Sequence, residues 1–404
     1  MSGDTEAAND EAVRRIAAVE PCLTGFEPAD AALGLLAGEL GHAGPPFASV
    51  DHIPPPVLNA LAGAALHEGW ACTPADAKRR IAKGEIRLRS NYALGTVSPM
   101  AGVIRPSQVL ARIENAAGPG HVHATLAEAG RRALRFGVYD TNTAEGLAWL
   151  DHVLAPALAQ ALPPGGLPLL PIIAEAVSLG DDVHQRNVGG MYSLMRALDR
   201  LDAEARGWLL DNPQHALNYA MAAAKLALDA ARGIAASSIV TAISRNGDVC
   251  GIQLAGTSAR WFTAPAIIPE GAFFPTYGRE NAQADLGDRA IMEAYGLGGA
   301  AAHIAPELAR TMTLEWSEAA AVGHRMRDLF VASHPRLRPA SAEPQGIGLG
   351  LDARKVVARN EPVRIHTGIS HRDGATGWIG IGVAFAPVAC FAAAIAALNA
   401  GARP

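Results

Sequence analysis

The sequence has few cysteines, few aromatics and little charge. Its four cysteines, Cys22, Cys72, Cys250 and Cys390, lie far apart with no C-x-x-C pair, which excludes a spelled-out zinc knuckle or disulfide framework. Only 18% of the 404 residues are charged, too few for a coiled coil built on Glu and Lys, and no repeat of fixed period is visible. A formal charge of -5 spread along the chain leaves no concentrated basic face, so nucleic acid is not an expected partner. The acidic, polar N-terminal segment is the reverse of a secretory signal, which points to a cytoplasmic protein with reduced thiols. The familiar short motifs are missing too. There is no P-loop, no G-x-G-x-x-G after a strand, no H-E-x-x-H and no G-x-S-x-G, and with them go the usual signatures of nucleotide, metal and hydrolase sites. No cofactor and no bound metal are expected.

What is present is a hydrophobic fraction of 50% in a chain long enough for two or three domains. Between Thr376 and Ala402 no charge occurs, a run long enough to span a bilayer. Its interior speaks against a membrane helix, because Gly377, Gly380 and Gly382 alternate with apolar residues and Pro387 then opens a new pattern. A strand followed by a helix from Pro387 to about Asn399 fits better.

Elsewhere the pattern is mixed. Residues 73–84 read as a helix capped by Thr73, with Pro74 in its first turn and Gly84 beyond its end, followed by a strand in which Arg87 and Arg89 alternate with apolar residues. The segment ATLAEAGRRALRF reads as helix. From Asn142 to about Gly233 nearly everything is helical, opening on a capping box of Asn142 and Glu145 with Leu147, Leu150, Leu154 and Leu158 on one face. SSIVTAISR and DVCGIQLAG flank Asn246-Gly247, the strongest short hairpin signal, since both turn positions tolerate positive φ. Without regular βα alternation, the expected class is α+β, a multidomain arrangement of mixed sheets with a helical insertion. The boundaries read as 1–140 mixed, 141–235 helical and 236–404 α+β, the last with a helical block at about 285–335.

Candidate chemistry comes from polar residues set among small ones. His121 and His123 would point to one face of a strand, where they can share a metal or an anion, provide a base, or form an ordinary hydrogen-bonded pair. Asp181, Asp182 and His184 in LGDDVHQRN offer a carboxylate-oriented histidine or a helix cap. Asn218, Lys225 and Asp229 share a helix face, on which the lysine either reaches solvent or meets an anion in a cleft. Arg245 stands before the hairpin turn. Arg364 and His366 share a strand face next to Thr367, Gly368 and Ser370, a grouping suited to a phosphate or carboxylate. Gly296, Gly298 and Gly299 permit close backbone approach, for a ligand or for a tight helix end. The catalytic candidates are therefore His123, Asp182, His184 and His366. The binding candidates are Asn218, Lys225, Arg245, Asn246, Arg364, Thr367 and Gly368. Convergence of His123, Asp182, His184, Lys225, Arg245 and His366 on one cleft is the expectation.

In order along the chain, HAGPP, SPMAGVIRPS, ENAAGPGHVHATLAEAGRRALRFGVYD, LGDDVHQRN, MAAAKLALDAARGIAASSIVTAISRNG, RWFTAPA, DLGDRAIMEAYGLGG, LDARKVV and IHTGISH make the sequence resemble the YlbE-like family over residues from about Asn9 to Leu398. That family includes a subunit of the oxamate carbamoyltransferase complex, encoded beside an FdrA-like subunit and a third small partner in anaerobic allantoin breakdown. The resemblance implies an oligomeric enzyme subunit that interconverts oxalurate and phosphate with oxamate and carbamoyl phosphate, its substrate a small anion. A small-amide hydrolase and a non-catalytic structural subunit are the alternatives. Other carbamoyltransferases lend no support, since their Ser-Thr-Arg-Thr phosphate loop is absent here. There is also a departure inside the family pattern. Many relatives carry histidines before an Ala-Val-Gly-Pro-Met segment, whereas this chain has Ser90, Asn91, Tyr92 and then Ala93-Leu94-Gly95-Thr96, which puts identity of substrate in doubt.

Overall fold

A computed structural model describes residues 2–126, 134–312 and 315–401 of the chain. Its described residues form an α+β fold of several separate sheets, most of them antiparallel or mixed, with helices between them. The five-stranded sheet has the order Thr96–Val97, His121–Ala124, Val109–Asn115, Pro21–Pro28, Leu167–Pro168. The four-stranded sheet runs Phe262–Pro265, Val249–Leu254, Val240–Asn246, Leu286–Gly287, and a three-stranded sheet runs Glu270–Phe273, Trp378–Ala386, Val363–Ser370. Two strand pairs complete the set: Glu39–His42 parallel to Arg87–Ser90, and Phe330–Ser333 antiparallel to Gly348–Leu351.

Helix His215–Asp229 is the hub. It packs on strands of both the five-stranded and four-stranded sheets, and every residue from His215 to Leu228 is buried. A helix enclosed on all sides has no solvent stripe to offer. One hydrophobic cluster runs through the described residues from Ala12 to Leu398 and joins this helix to all the larger sheets.

Local chemistry explains several elements. Thr73 Oγ1 accepts the Asp76 N–H at 3.1 Å, Pro74 opens helix Pro74–Ala82, and Gly84 follows it at φ 71°. The uncharged C-terminal run is strand Trp378–Ala386, paired antiparallel with Val363–Ser370, and then helix Val388–Gly401. No helix among the described residues is long and apolar enough to cross a membrane.

Other details differ from the sequence reading. Helix Thr141–Trp149 is capped by Asp140, whose carboxylate accepts the Thr143 N–H at 2.8 Å, and not by Asn142. Asp140 stands one position before the first helical residue and so reaches the free N–H, whereas Asn142 is already inside the helix. In the hairpin only Gly247 takes positive φ, at 86°. Asn246 instead folds its side chain over the turn, its Oδ1 accepting from Asp248 N at 3.0 Å and Val249 N at 2.8 Å. The stretch read as helical from 142 contains one edge strand, Leu167–Pro168, and the block at 285–335 opens on strand Leu286–Gly287, continues as a series of helices and ends in strand Phe330–Ser333. The helix read over ATLAEAGRRALRF lies mostly outside the described residues, of which Leu134–Phe136 form a single 3-10 turn.

Candidate functional site

Four buried side chains from three separate segments form two cross-linked histidine–carboxylate pairs. His184 Nδ1 lies 2.7 Å from Glu293 Oε1, and His366 Nδ1 lies 2.7 Å from Asp182 Oδ2. Backbone groups knit the pairs together. Glu293 Oε1 also accepts the His366 N–H at 3.1 Å and the Gly299 N–H at 2.8 Å, while Asp182 Oδ1 accepts the N–H groups of His184, Gln185 and Arg186 at 3.1, 2.9 and 2.8 Å. Asp182, His184 and Glu293 are 0% exposed and His366 is 2% exposed.

The local chain explains how such groups come together. Asp182 closes its carboxylate over the three following N–H groups, a turn that forces Val183 to φ 55°. A β-branched residue in that region is strained, and the three hydrogen bonds hold it there. At Gly298, φ 58°, a Cβ would stand 2.2 Å from Glu293 Oε1, so the glycine leaves the room that the carboxylate occupies. His366 comes from the middle of strand Val363–Ser370, all of whose residues are buried.

Burial sets the protonation. It pushes the Glu293 carboxyl up to about 8 and, with the Arg289 charge added, pushes the His184 ring well below its ordinary value. Near neutral pH this pair is thus a protonated acid beside a neutral imidazole. Because Oε1 already accepts two backbone N–H bonds, the acid's proton belongs on Oε2, and His184 donates from Nδ1. For Asp182, burial works upward, but the hydrogen bond and charge of His366 outweigh it and hold the carboxyl below the ordinary range. Neighbouring Asp181 is raised to about 6, by burial, although it bonds Arg186 and the Gly190 N–H.

Three polar atoms around this cluster have no hydrogen-bond partner among the described residues although they are buried: His184 Nε2, Glu293 Oε2 and Gln185 Nε2. A Cβ on Gly368, two residues along the strand from His366, would lie 4.0 Å from Gln185 Nε2. An open acceptor, an open acid and an open amide donor thus remain in one region. Buried polar groups are seldom left so.

Arg245 stands beside this region but is committed. Its guanidinium grips Asp285 at 2.6 and 3.0 Å and the Gly287 carbonyl at 2.7 Å, and reaches Thr367 Oγ1 at 3.4 Å. Thr367 Oγ1 donates to the same Asp285 at 2.8 Å. Asn246 donates to the Pro45 carbonyl at 2.9 Å. Arg364, 8% exposed, has no carboxylate partner among the described residues, where its Nε is also unpaired, and burial together with Arg325 lowers its pKa to about 10.

The remaining candidates lie apart. His123 Nε2 bonds Glu27 at 2.7 Å in the five-stranded sheet, its ring against that of His121 at 5.5 Å. Asn218 accepts from Thr125 at 3.2 Å. Lys225 meets neither solvent nor an open cleft: fully buried, it bonds Asp229 at 2.8 Å and sits 4.6 Å over the Tyr92 ring. Asp182, His184 and His366 therefore gather in one place with Arg245, Thr367 and Gly368 beside them, whereas His123 and Lys225 do not join them. Glu293, Gln185 and Asp285 were missed by sequence reading. For Glu293 a signal existed in the glycines of MEAYGLGG, which crowd around a single acid. Among the described residues no three His, Cys, Asp or Glu side chains gather as a metal-ligand set.

Comparison with known proteins adds the following. The family described as oxamate carbamoyltransferase subunit AllG matches residues 86–289. The chain is 37% identical to the oxamate carbamoyltransferase subunit AllG of Escherichia coli (strain K12), covering 97% of each. It is 31% identical to the uncharacterized protein YahG of the same organism, covering 96% of this chain and 85% of that one. A solved structure, described as a conserved protein of unknown function from Enterococcus faecalis V583, superposes with a TM-score of 0.94 at 33% identity over 98% of both chains.

Proposed function

Because this chain belongs to the AllG family, we propose that it works as a subunit of an oxamate carbamoyltransferase and that the Asp182–His184–Glu293–His366 cluster is where it handles the carbamoyl group. The reaction follows from the resemblance: an oxygen of hydrogen phosphate attacks the carbamoyl carbon of oxalurate, the C–N bond breaks, and the proton that the phosphate gives up passes to the leaving nitrogen, giving oxamate and carbamoyl phosphate.

The observation that carries this reading is the set of three unpaired atoms. A carbamoyl or amide group presents a carbonyl oxygen next to an N–H, and the cluster offers the complement. Gln185 Nε2 and the Glu293 Oε2 proton donate to the carbonyl oxygen, where negative charge develops as the phosphate adds. His184 Nε2 accepts from the amide N–H and, in the reverse direction, takes that proton as oxamate attacks. Asp182 and the His366 ring position the loop and strand. Arg364 is preferred to Arg245 and Lys225 as the contact for phosphate, since Asp285 and Asp229 already neutralise the other two.

A second reading has one observation in its favour. With all four residues at most 2% exposed, the same network serves equally as the internal brace of a non-catalytic subunit. Phosphate-dependent cleavage of oxalurate, followed with the purified subunit alone and with its partners, separates the two. On the catalytic reading, His184→Asn lowers turnover by about 10²- to 10⁴-fold in a complex that still assembles. Unchanged turnover in the assembled variant complex supports the brace.

A further inference from the structure

A second region invites a ligand on its own terms. The strand pair Glu39–His42 and Arg87–Ser90 and the loop that follows His42 enclose a cleft of about 340 Å³, lined by His42, Phe47, Val50, Ile53, Leu88 and Arg89 among others. None of these residues belongs to the histidine–carboxylate cluster.

His42 is the built part of this cleft. It is 2% exposed, its ring tilts over Phe47 with centroids 4.7 Å apart, and Nδ1 lies 2.9 Å from the Ala43 carbonyl oxygen. A carbonyl only accepts, so the proton sits on Nδ1, and burial keeps the ring neutral by lowering its pKa to about 4. Nε2 is left as a lone-pair acceptor with no partner among the described residues. Phe47, Val50, Ile53 and Leu88 supply apolar wall. Arg89 and Arg87 share one carboxylate, Glu39, at 3.6 and 3.1 Å. Arg89, which lines the cleft, thus shares its carboxylate with a second guanidinium and keeps N–H groups free to meet an anion at the mouth.

The cleft is held firmly. Between His42 and Phe47, the Gly44 N–H donates to the buried Asp288 at 2.9 Å, its carbonyl accepts from Ser90 Oγ at 2.7 Å, and the Pro45 carbonyl accepts from Asn246 at 2.9 Å. A site of this size with mostly apolar walls and a few fixed polar groups has the form of a small-molecule pocket.

From this geometry we infer that the cleft is a ligand site separate from the carbamoyl site, for a small carboxylic acid with a flat apolar body and an N–H or O–H that donates to His42 Nε2. The carboxylate lies toward Arg89 and the apolar body against Phe47 and Ile53.

Indole-3-acetate has these three features, and matched probes remove them singly: benzofuran-3-acetate lacks the N–H and 3-methylindole lacks the carboxylate. Isothermal titration of the full chain should show one saturable site for indole-3-acetate. Each of the other two should bind about tenfold more weakly or worse, as one lost hydrogen bond or ion contact implies. Arg89→Gln should abolish the advantage of indole-3-acetate over 3-methylindole while leaving 3-methylindole itself unchanged. Val50→Trp, at a rim position that is 37% exposed and so tolerant of a larger side chain, should fill the cleft and remove binding with an unaltered thermal melt. Absence of saturable indole-3-acetate binding overturns the proposal. So does binding that survives Val50→Trp, or equal affinity for all three probes.

Discussion

At the scale of single residues, Glu293 decides most. A carboxyl lifted from an ordinary 4.5 to about 8 keeps its proton in the native state after the unfolded chain has lost its own. Its contribution to stability is therefore complete below about pH 4.5 and drains away as pH rises toward 8. Urea midpoints of the native protein should fall across that window, and Glu293→Gln, which cannot ionise, should flatten the fall. Parallel curves for the two proteins would contradict the burial argument. Gly298 makes a companion test. Alanine there adds a left-handed penalty of about 1–2 kcal/mol to a contact with Glu293 Oε1 at 2.2 Å. Gly298→Ala should thus lose more stability than the backbone term alone, and pairing it with Glu293→Ala should recover the excess. Of these residues, His184 and Asp182 were legible in the sequence because a Gly-Asp-Asp-x-His string draws the eye. Glu293 was not, since a lone acid inside a helix turn looks like any solvated charge until its glycines are seen to fold round it.

At the scale of elements, the hairpin Val240–Leu254 is held to its neighbours by a buried ion pair. Arg245 and Asp285 are both almost wholly enclosed, so removing one partner strands the other's charge. Arg245→Met should cost about 3–5 kcal/mol in urea unfolding, and the double change Arg245→Met with Asp285→Leu should restore a large part of it. A double variant as unstable as the single would show that the charge was not the issue. Helix Thr141–Trp149 offers a smaller measurement. Asp140→Ala should lose about 1 kcal/mol, whereas Asn142→Ala should lose little, because the cap bond comes from Asp140. Hairpin, capped helix and C-terminal strand–helix were all readable in advance, since each is set by residues within a few positions of one another. The caps and turn conformations were read less well. Asp140 and Asn142 are equally good cap residues on paper, and the backbone chooses between them by where the first turn closes.

At the scale of the whole molecule, the apolar C-terminal run ends in a helix that lays one face on the core. Cys390, Phe391, Ala394 and Leu398 of helix Val388–Gly401 are buried in the core it shares with the four-stranded sheet. Phe391→Ala should cost about 3–5 kcal/mol in urea unfolding, and a loss below 1 kcal/mol would mean that this helix is only loosely attached. What the sequence determined by itself was the α+β class, the hairpin, the strand–helix character of the last segment and the family resemblance. Alternation, periodicity and cap chemistry act over neighbouring residues, so they are written locally. Tertiary structure alone decided which polar residues meet. Asp182 and His366 are 184 residues apart, and His184 and Glu293 are 109 apart. Lys225 shows the converse: its helix carries an amphipathic-looking stripe, yet burial on every side turned the lysine to Asp229 and Tyr92. Pairing over such separations depends on how sheets and helices stack, and no local pattern in the chain encodes that stacking.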